Sequence, residues 1–298
     1  MLITSSEQLR ELTGSFYANA DFDRVSHIVE TVQKEVARII GQATMDWLEG
    51  EGDHSEAADA CRTAVAYMAT LRYYRLNDIS HEDMGRKVKI DKENEARPFE
   101  WQLARDDRMH LEEYYRALDH LIYCLSDNAY FKASETCQRI ETLIVKSAES
   151  LTWLTGTDPS SWLFLRLVPY LAESQHFVEK AYGATFNPED FTLFPNTDTM
   201  DYAAQMAVAL GAIALMGRRT SLQTLPYGLM KLFESDGGGN RQETATLERL
   251  DDYLKHLSKS QHYWLNEMKI LRDEQAGKET VTHLQMPEND PHNKFMRV

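Results

Sequence analysis

Cysteine is scarce in this chain: three residues in 298, Cys61, Cys124 and Cys137, with no CxxC pair. Such a set cannot all be paired internally, which suits a reducing compartment with unreactive buried thiols. Glycine (14) and proline (8) are few, while 43% of residues are hydrophobic and 27% charged. That composition is too apolar for a disordered chain and ordinary for a globular one. Positive charge is short as well, with 32 Lys plus Arg against 47 Asp plus Glu, a formal net charge of −15. Neutralising phosphates takes clustered cations, so nucleic-acid binding is disfavoured as the main activity. Long apolar runs are missing. The longest uncharged stretch, Tyr202 to Gly217, contains Gln205 and reads as a buried helix rather than a membrane span. The opening "MLITSSEQLREL" has no basic segment followed by an apolar one, so no secretory signal is expected. The expectation is a soluble intracellular protein whose length favours two domains.

What the sequence does have is a repeat. Residues 1–14, "MLITSSEQLRELTG", align without a gap on 143–156, "LIVKSAESLTWLTG". Ser5/Ser147, Glu7/Glu149, Leu9/Leu151, Leu12/Leu154, Thr13/Thr155 and Gly14/Gly156 are identical. Six identities in fourteen stand against about one from composition alone. The offset of 142 also sets Gly41 on Gly183 and Asp59 on Asp201. With slight slippage, "AVA" at 64–66 falls on 207–209, "MGRKVKI" on "YGLMKLF", and "HLEEYYRAL" on "RLDDYLKHL".

Each unit reads as a series of helices. Ser5 and Ser147 are N-cap residues, Glu7 and Glu149 sit in the first turn, and Gly14 and Gly156 stop a short helix. A long helix follows, with Phe22, Val25, Val29, Val32, Val36 and Ile39 or Ile40 stepping by three and four. Its counterpart carries Phe164, Leu167, Leu171, Val178 and Tyr182, and Pro169 inside it predicts a kink or a late start. An alanine-rich helix is predicted over 56–77 and 200–217, then a small β-hairpin or projecting loop, then a long closing helix over 99–126 and 241–274. The fold class is therefore mainly α, two tandem copies of a four-to-five-helix bundle. The domains are 1–127, a connecting helix at 128–142, a second repeat at 143–274, and an extended tail at 275–298.

Chemistry-bearing motifs are few. There is no Gly-rich phosphate loop, GxSxG elbow or HExxH. Glu173-x-x-His176 puts a carboxylate and an imidazole on one helix face, but a di-iron bundle needs a second such box. The first copy has Thr31 and Lys34 there, so the pair reads as a polar helix face. His110-x-x-Glu113 and Asp119-His120 read the same way, and "GGG" at 237–239 as a loop tip rather than an anion nest. Tyr114, Tyr115 and Tyr123 have helical spacing and are expected in the core. Trp47, Trp101, Trp153, Trp162 and Trp264 are expected to pack at helix ends. No catalytic residue, metal ligand or cofactor is expected. In the tail, Phe295, Met296 and Val298 are apolar residues that a solubilising segment would not need; they are the expected partner-binding residues.

The stretch "LITSSEQLRELTG…FDRVSHIVETVQKEVARIIG" resembles the opening of the helical head–tail connector, or adaptor, proteins of tailed bacteriophages. There too a short helix precedes a long one, which ends in a Gly before a small-residue-rich helix. The double unit is more similar still to a family of unknown function from phages and prophages of Bacteroidetes, through "AVAYMATLRYY", "AVALGAIALMG" and the tail "ENDPHNKFMRV". The resemblance spans nearly the whole chain, and the duplication departs from the usual single-unit connector. It implies a non-enzymatic virion protein made in the host bacterial cytoplasm. Such a protein would form a homo-oligomeric ring in the neck, between the portal protein and the tail or neck proteins. Packaged DNA would pass without specific binding along a negative wall, and no membrane would be involved. The alternative expectation is a cytosolic helical scaffold binding a protein or peptide.

Overall fold

The structure is a computed structural model that describes residues 1–16, 21–77, 80–82, 85–87, 99–157, 159–220, 231–234, 241–244 and 247–275. The fold is mainly α. Among the described residues the order opens with α1 (Ser6–Thr13), α2 (Phe22–Ile40), α3 (Gln42–Glu49) and α4 (Glu56–Asn77). Strands β1 (Ser80–Glu82) and β2 (Gly85–Lys87) pair antiparallel, and α5 (Glu100–Leu125) follows. Two short helices, α6 (Ala129–Lys132) and α7 (Glu135–Ile140), lead to α8 (Ala148–Thr155), α9 (Ser161–Tyr182) and α10 (Met200–Thr220). Strands β3 (Lys231–Glu234) and β4 (Arg241–Thr244) pair antiparallel before the last helix, α11 (Leu247–Gln275).

The helix ends follow from a few residues. Ser5 is extended, and its Oγ accepts the N–H of Gln8 at 3.2 Å; Ser147 Oγ accepts that of Ser150 at 3.1 Å. Gly14 (φ 68°) and Gly156 (φ 67°) close α1 and α8 in the left-handed region, their N–H groups donating to Arg10 O and Thr152 O. Any side chain there costs about 1–2 kcal/mol. Just before each glycine, Thr13 and Thr155 donate from Oγ1 to Leu9 O and Leu151 O. The long helices end alike: Gly41 donates to Ala37 O and Gly183 to Glu179 O, both at 2.8 Å.

The apolar stripe of α2 (Val25, Ile28, Val29, Val32, Val36, Ile40) is buried. It packs on α4, whose alanines let α1 and α5 approach as well. In the second half α10 occupies the same central place, against α8, α9 and α11. One core gathers residues from Leu2 to Phe131, a second those from Leu143 to Met268. Leu118, Leu121 and Leu125 of α5 are wholly buried in the first, each worth about 1.5–3 kcal/mol of transfer free energy. Leu165 of α9 crosses over and is buried in the first core, not the second.

Several sequence expectations need correction. The single connecting helix of 128–142 is two, because Asn128 and Ser134 each cap a fresh start. The helix α3 had no sequence signal; the second half has only a 3₁₀ turn, Pro188–Asp190, in the corresponding stretch. Pro169 delays nothing. Helix α9 starts at Ser161, capped by Ser160, three residues ahead of the position matching Phe22, and runs through the proline. The closing helix of the second half begins at Leu247 rather than 241, since 241–244 is strand. The window Met200–Arg219 is long and apolar enough to cross a membrane, and 78% of it is buried within the fold.

Candidate functional site

Several of the polar residues singled out in the sequence are held by partners from other parts of the chain. Glu173 on α9 receives both guanidinium nitrogens of Arg219 from α10, at 2.6 and 2.8 Å. This hydrogen bond holds its carboxyl below the usual carboxylate range. His176, one turn on, is exposed. The first half has a similar clamp: Arg72 of α4 makes a bidentate pair with Glu35 of α2, at 2.9 and 2.6 Å.

His110 does not lie on a solvated face. It is buried, with Nδ1 3.0 Å from Asp106 O and Nε2 3.3 Å from Ser15 Oγ, and the rings of Tyr67 and Tyr74 meet it edge-on. The Tyr74 hydroxyl donates to Ser15 O, so this cluster pins the chain leaving α1 against α4 and α5. Asp119 likewise has a structural task. Its Oδ1 accepts Ser160 Oγ at 2.7 Å and the N–H of Trp162 at 2.9 Å, so a side chain of α5 caps α9.

The aromatics divide. Tyr114 is buried and its hydroxyl pKa is pushed up by burial; Tyr115, Trp47, Trp162 and Trp264 pack partly buried against the cores. Tyr123, Trp101 and Trp153 are exposed instead, against expectation. Trp101 stacks on exposed Phe99 with ring centroids 6.5 Å apart. Trp153 meets exposed Phe194 edge-on at 6.1 Å, beside exposed Leu193. In the first unit the position matching Trp153 is Glu11, which is exposed and charged. The apolar surface at Trp153 thus belongs to one half only.

The three thiols also differ. Only Cys61 is fully buried, and burial pushes it up to about 12; Cys124 and Cys137 are half-buried, and burial raises both. Cys124 has company that the sequence did not reveal. Glu56 at the start of α4 and His120 and Cys124 on α5 bring an oxygen, a nitrogen and a sulfur within 4.8 Å of one another. His120 and Cys124 are four apart, one helical turn, which was visible in the sequence; Glu56 is 64 positions away and was not. The triglycine at 237–239 and the tail residues Phe295, Met296 and Val298 lie outside the described residues. Compared with protein families, with curated proteins and with solved structures, the chain finds no match.

Proposed function

We propose that the chain is a structural adaptor, a head–tail connector of a tailed phage, and that it acts through its surfaces rather than by catalysis. The observation that carries this reading is the recurrence of one helical unit with the same fastenings. Each begins with a Ser-capped, Gly-ended short helix, continues into a long helix ended by a second Gly, and puts an alanine-rich helix at its centre. This is the order through which the sequence resembles connectors, and a duplication of one unit accounts for both halves. The polar groups with catalytic potential serve as clamps and caps: Glu173 with Arg219, His110 with Ser15, Asp119 with Ser160.

In this reading copies of the chain assemble into a ring that joins portal to tail, and the net charge of −15 keeps DNA mobile in the channel. Native mass spectrometry and negative-stain microscopy of the full chain, alone and mixed with a phage portal protein, provide the test. Closed rings or a portal complex are expected. A chain that stays monomeric and ignores the portal sinks the proposal. The second reading, a scaffold for a protein or peptide, is favoured by one feature, the exposed Trp153, Leu193 and Phe194. Under it, Trp153→Ala would abolish capture of the partner and leave the mass in solution unchanged.

A further inference from the structure

Glu56 is the first residue of α4, and His120 and Cys124 share a face near the end of α5. The two helices are antiparallel: Arg75, near the end of α4, pairs with Asp107 toward the start of α5, and Glu56 meets His120 at the opposite end. His120 Nε2 lies 3.1 Å from Glu56 Oε1 and 3.7 Å from Cys124 Sγ. The sulfur is also 3.9 Å from Nδ1, so it lies beside the imidazole ring, within reach of either nitrogen. Tetrahedral zinc, with Zn–N and Zn–O of about 2.0–2.1 Å and Zn–S of about 2.3 Å, sets N···O near ~3.3 Å and N···S near ~3.6 Å. The two separations are close to those values, and all three donor atoms lie within 4.8 Å of one another.

We infer that Glu56, His120 and Cys124 bind one Zn²⁺, with a fourth position open to solvent. The donor set selects the metal. A thiolate and an imidazole suit zinc and exclude magnesium and calcium, which take oxygen ligands. A thiolate and a carboxylate together neutralise the ion, so binding leaves no net charge at the surface. The half-exposed His120 and largely exposed Glu56 let the ion enter without unfolding. Bound there, zinc ties the start of α4 to the last turns of α5, as a clip on the pair that forms the first core. Among the described residues the group occurs once: Glu56 corresponds to Asp198 in the second half, but the alignment of "HLEEYYRAL" on "RLDDYLKHL" sets His120 on Lys259 and Cys124 on Tyr263.

The test uses the full reduced chain and Co²⁺ as the spectroscopic probe. One equivalent should produce a thiolate-to-cobalt charge-transfer band and the intense visible bands of tetrahedral cobalt, both removed by Zn²⁺. Cys124→Ser should abolish the charge-transfer band, and His120→Ala or Glu56→Gln should weaken binding at least about tenfold. Cys137→Ser should change nothing, and far-ultraviolet circular dichroism should confirm that every variant is folded. Independently of any variant, Zn²⁺ should slow alkylation of Cys124 and leave that of Cys137 unchanged, read by peptide mass mapping. The inference is overturned by a missing band, by a band that survives Cys124→Ser, or by Cys124 alkylation indifferent to Zn²⁺. His120 and Glu56 would then be an ion pair beside an ordinary thiol.

Discussion

Gln33 and Gln175, 142 positions apart, make the same hydrogen bond. Gln33 Oε1 accepts the backbone N–H of Leu2 at 3.1 Å, and Gln175 Oε1 accepts that of Ile144 at 2.9 Å. Leu2 and Ile144 are themselves 142 apart. In each half a glutamine in the middle of the long helix thus fastens the strand of chain that enters the short helix. Gln175 is buried and its Nε2 donates to Thr142 O at 3.2 Å and to Glu179 Oε1 at 3.3 Å, whereas half-buried Gln33 donates from Nε2 to Glu49 Oε1 at 2.7 Å.

Removing that acceptor strands a buried donor. Gln175→Leu should cost about 1–3 kcal/mol, the penalty for an unpaired buried N–H. Gln33→Leu should cost less, because Gln33 is only half-buried. Urea unfolding of the two variants measures both. Equal, negligible losses would mean that the clips hold nothing.

Gly14→Ala and Gly156→Ala form a matched pair. Neither added methyl would touch anything within 4 Å, so the whole effect is the left-handed backbone. Each should destabilise by about 1–2 kcal/mol, and by similar amounts. Thermal melts of the two variants side by side check this.

Gly211 is constrained by space instead. A methyl on it would collide with Ser174 Oγ and Gln261 Nε2, where α9, α10 and α11 meet. Alanine favours a helix over glycine by about 0.8–1 kcal/mol, yet Gly211→Ala should be net destabilising by about 1–2 kcal/mol. Denaturant midpoints provide the measurement; a stabilised variant would mean that the three helices part freely.

Alkaline pH should weaken the fold through Cys61. Its thiol, ordinarily at 9.0, is raised to about 12 by burial among the residues of the first core. The unfolded chain therefore loses this proton first. The contribution is whole below pH 9 and is lost as pH rises from 9 towards 12. Cys61→Ala should flatten the fall in stability over that interval, seen by urea unfolding at successive pH values. At pH 8 a thiol reagent should modify Cys124 and Cys137 and leave Cys61 alone.

The sequence carried the main features of the fold because they rest on local rules. Ser5 and Gly14 mark a helix by capping alone, and the stripe from Val25 to Ile40 needs only its own spacing. Where two distant segments decide, it was silent. Nothing near Asp119 announces that it caps α9, and nothing near His110 announces that Ser15, Tyr67 and Tyr74 enclose it. Exposure of Trp153 was illegible for the same reason, since an aromatic at a helical position looks alike on either face. The Glu56–His120–Cys124 group failed on distance along the chain, because one of its three members comes from another helix.

Leu165 and Asp119 tie the two halves together in opposite directions. The first half has lent a cap to the second, and the second has lent a leucine to the first, across the same seam. A gene cut at that seam would yield two wounded fragments: one with a hole where Leu165 sat, the other with the opening turn of α9 bare. A second copy of the first half could not stand in for the second half, because its position matching Leu165, beside Phe22, is Asp23, a charge in place of the leucine. The two halves meet like the left and right parts of a lock, each completed by a side chain of the other.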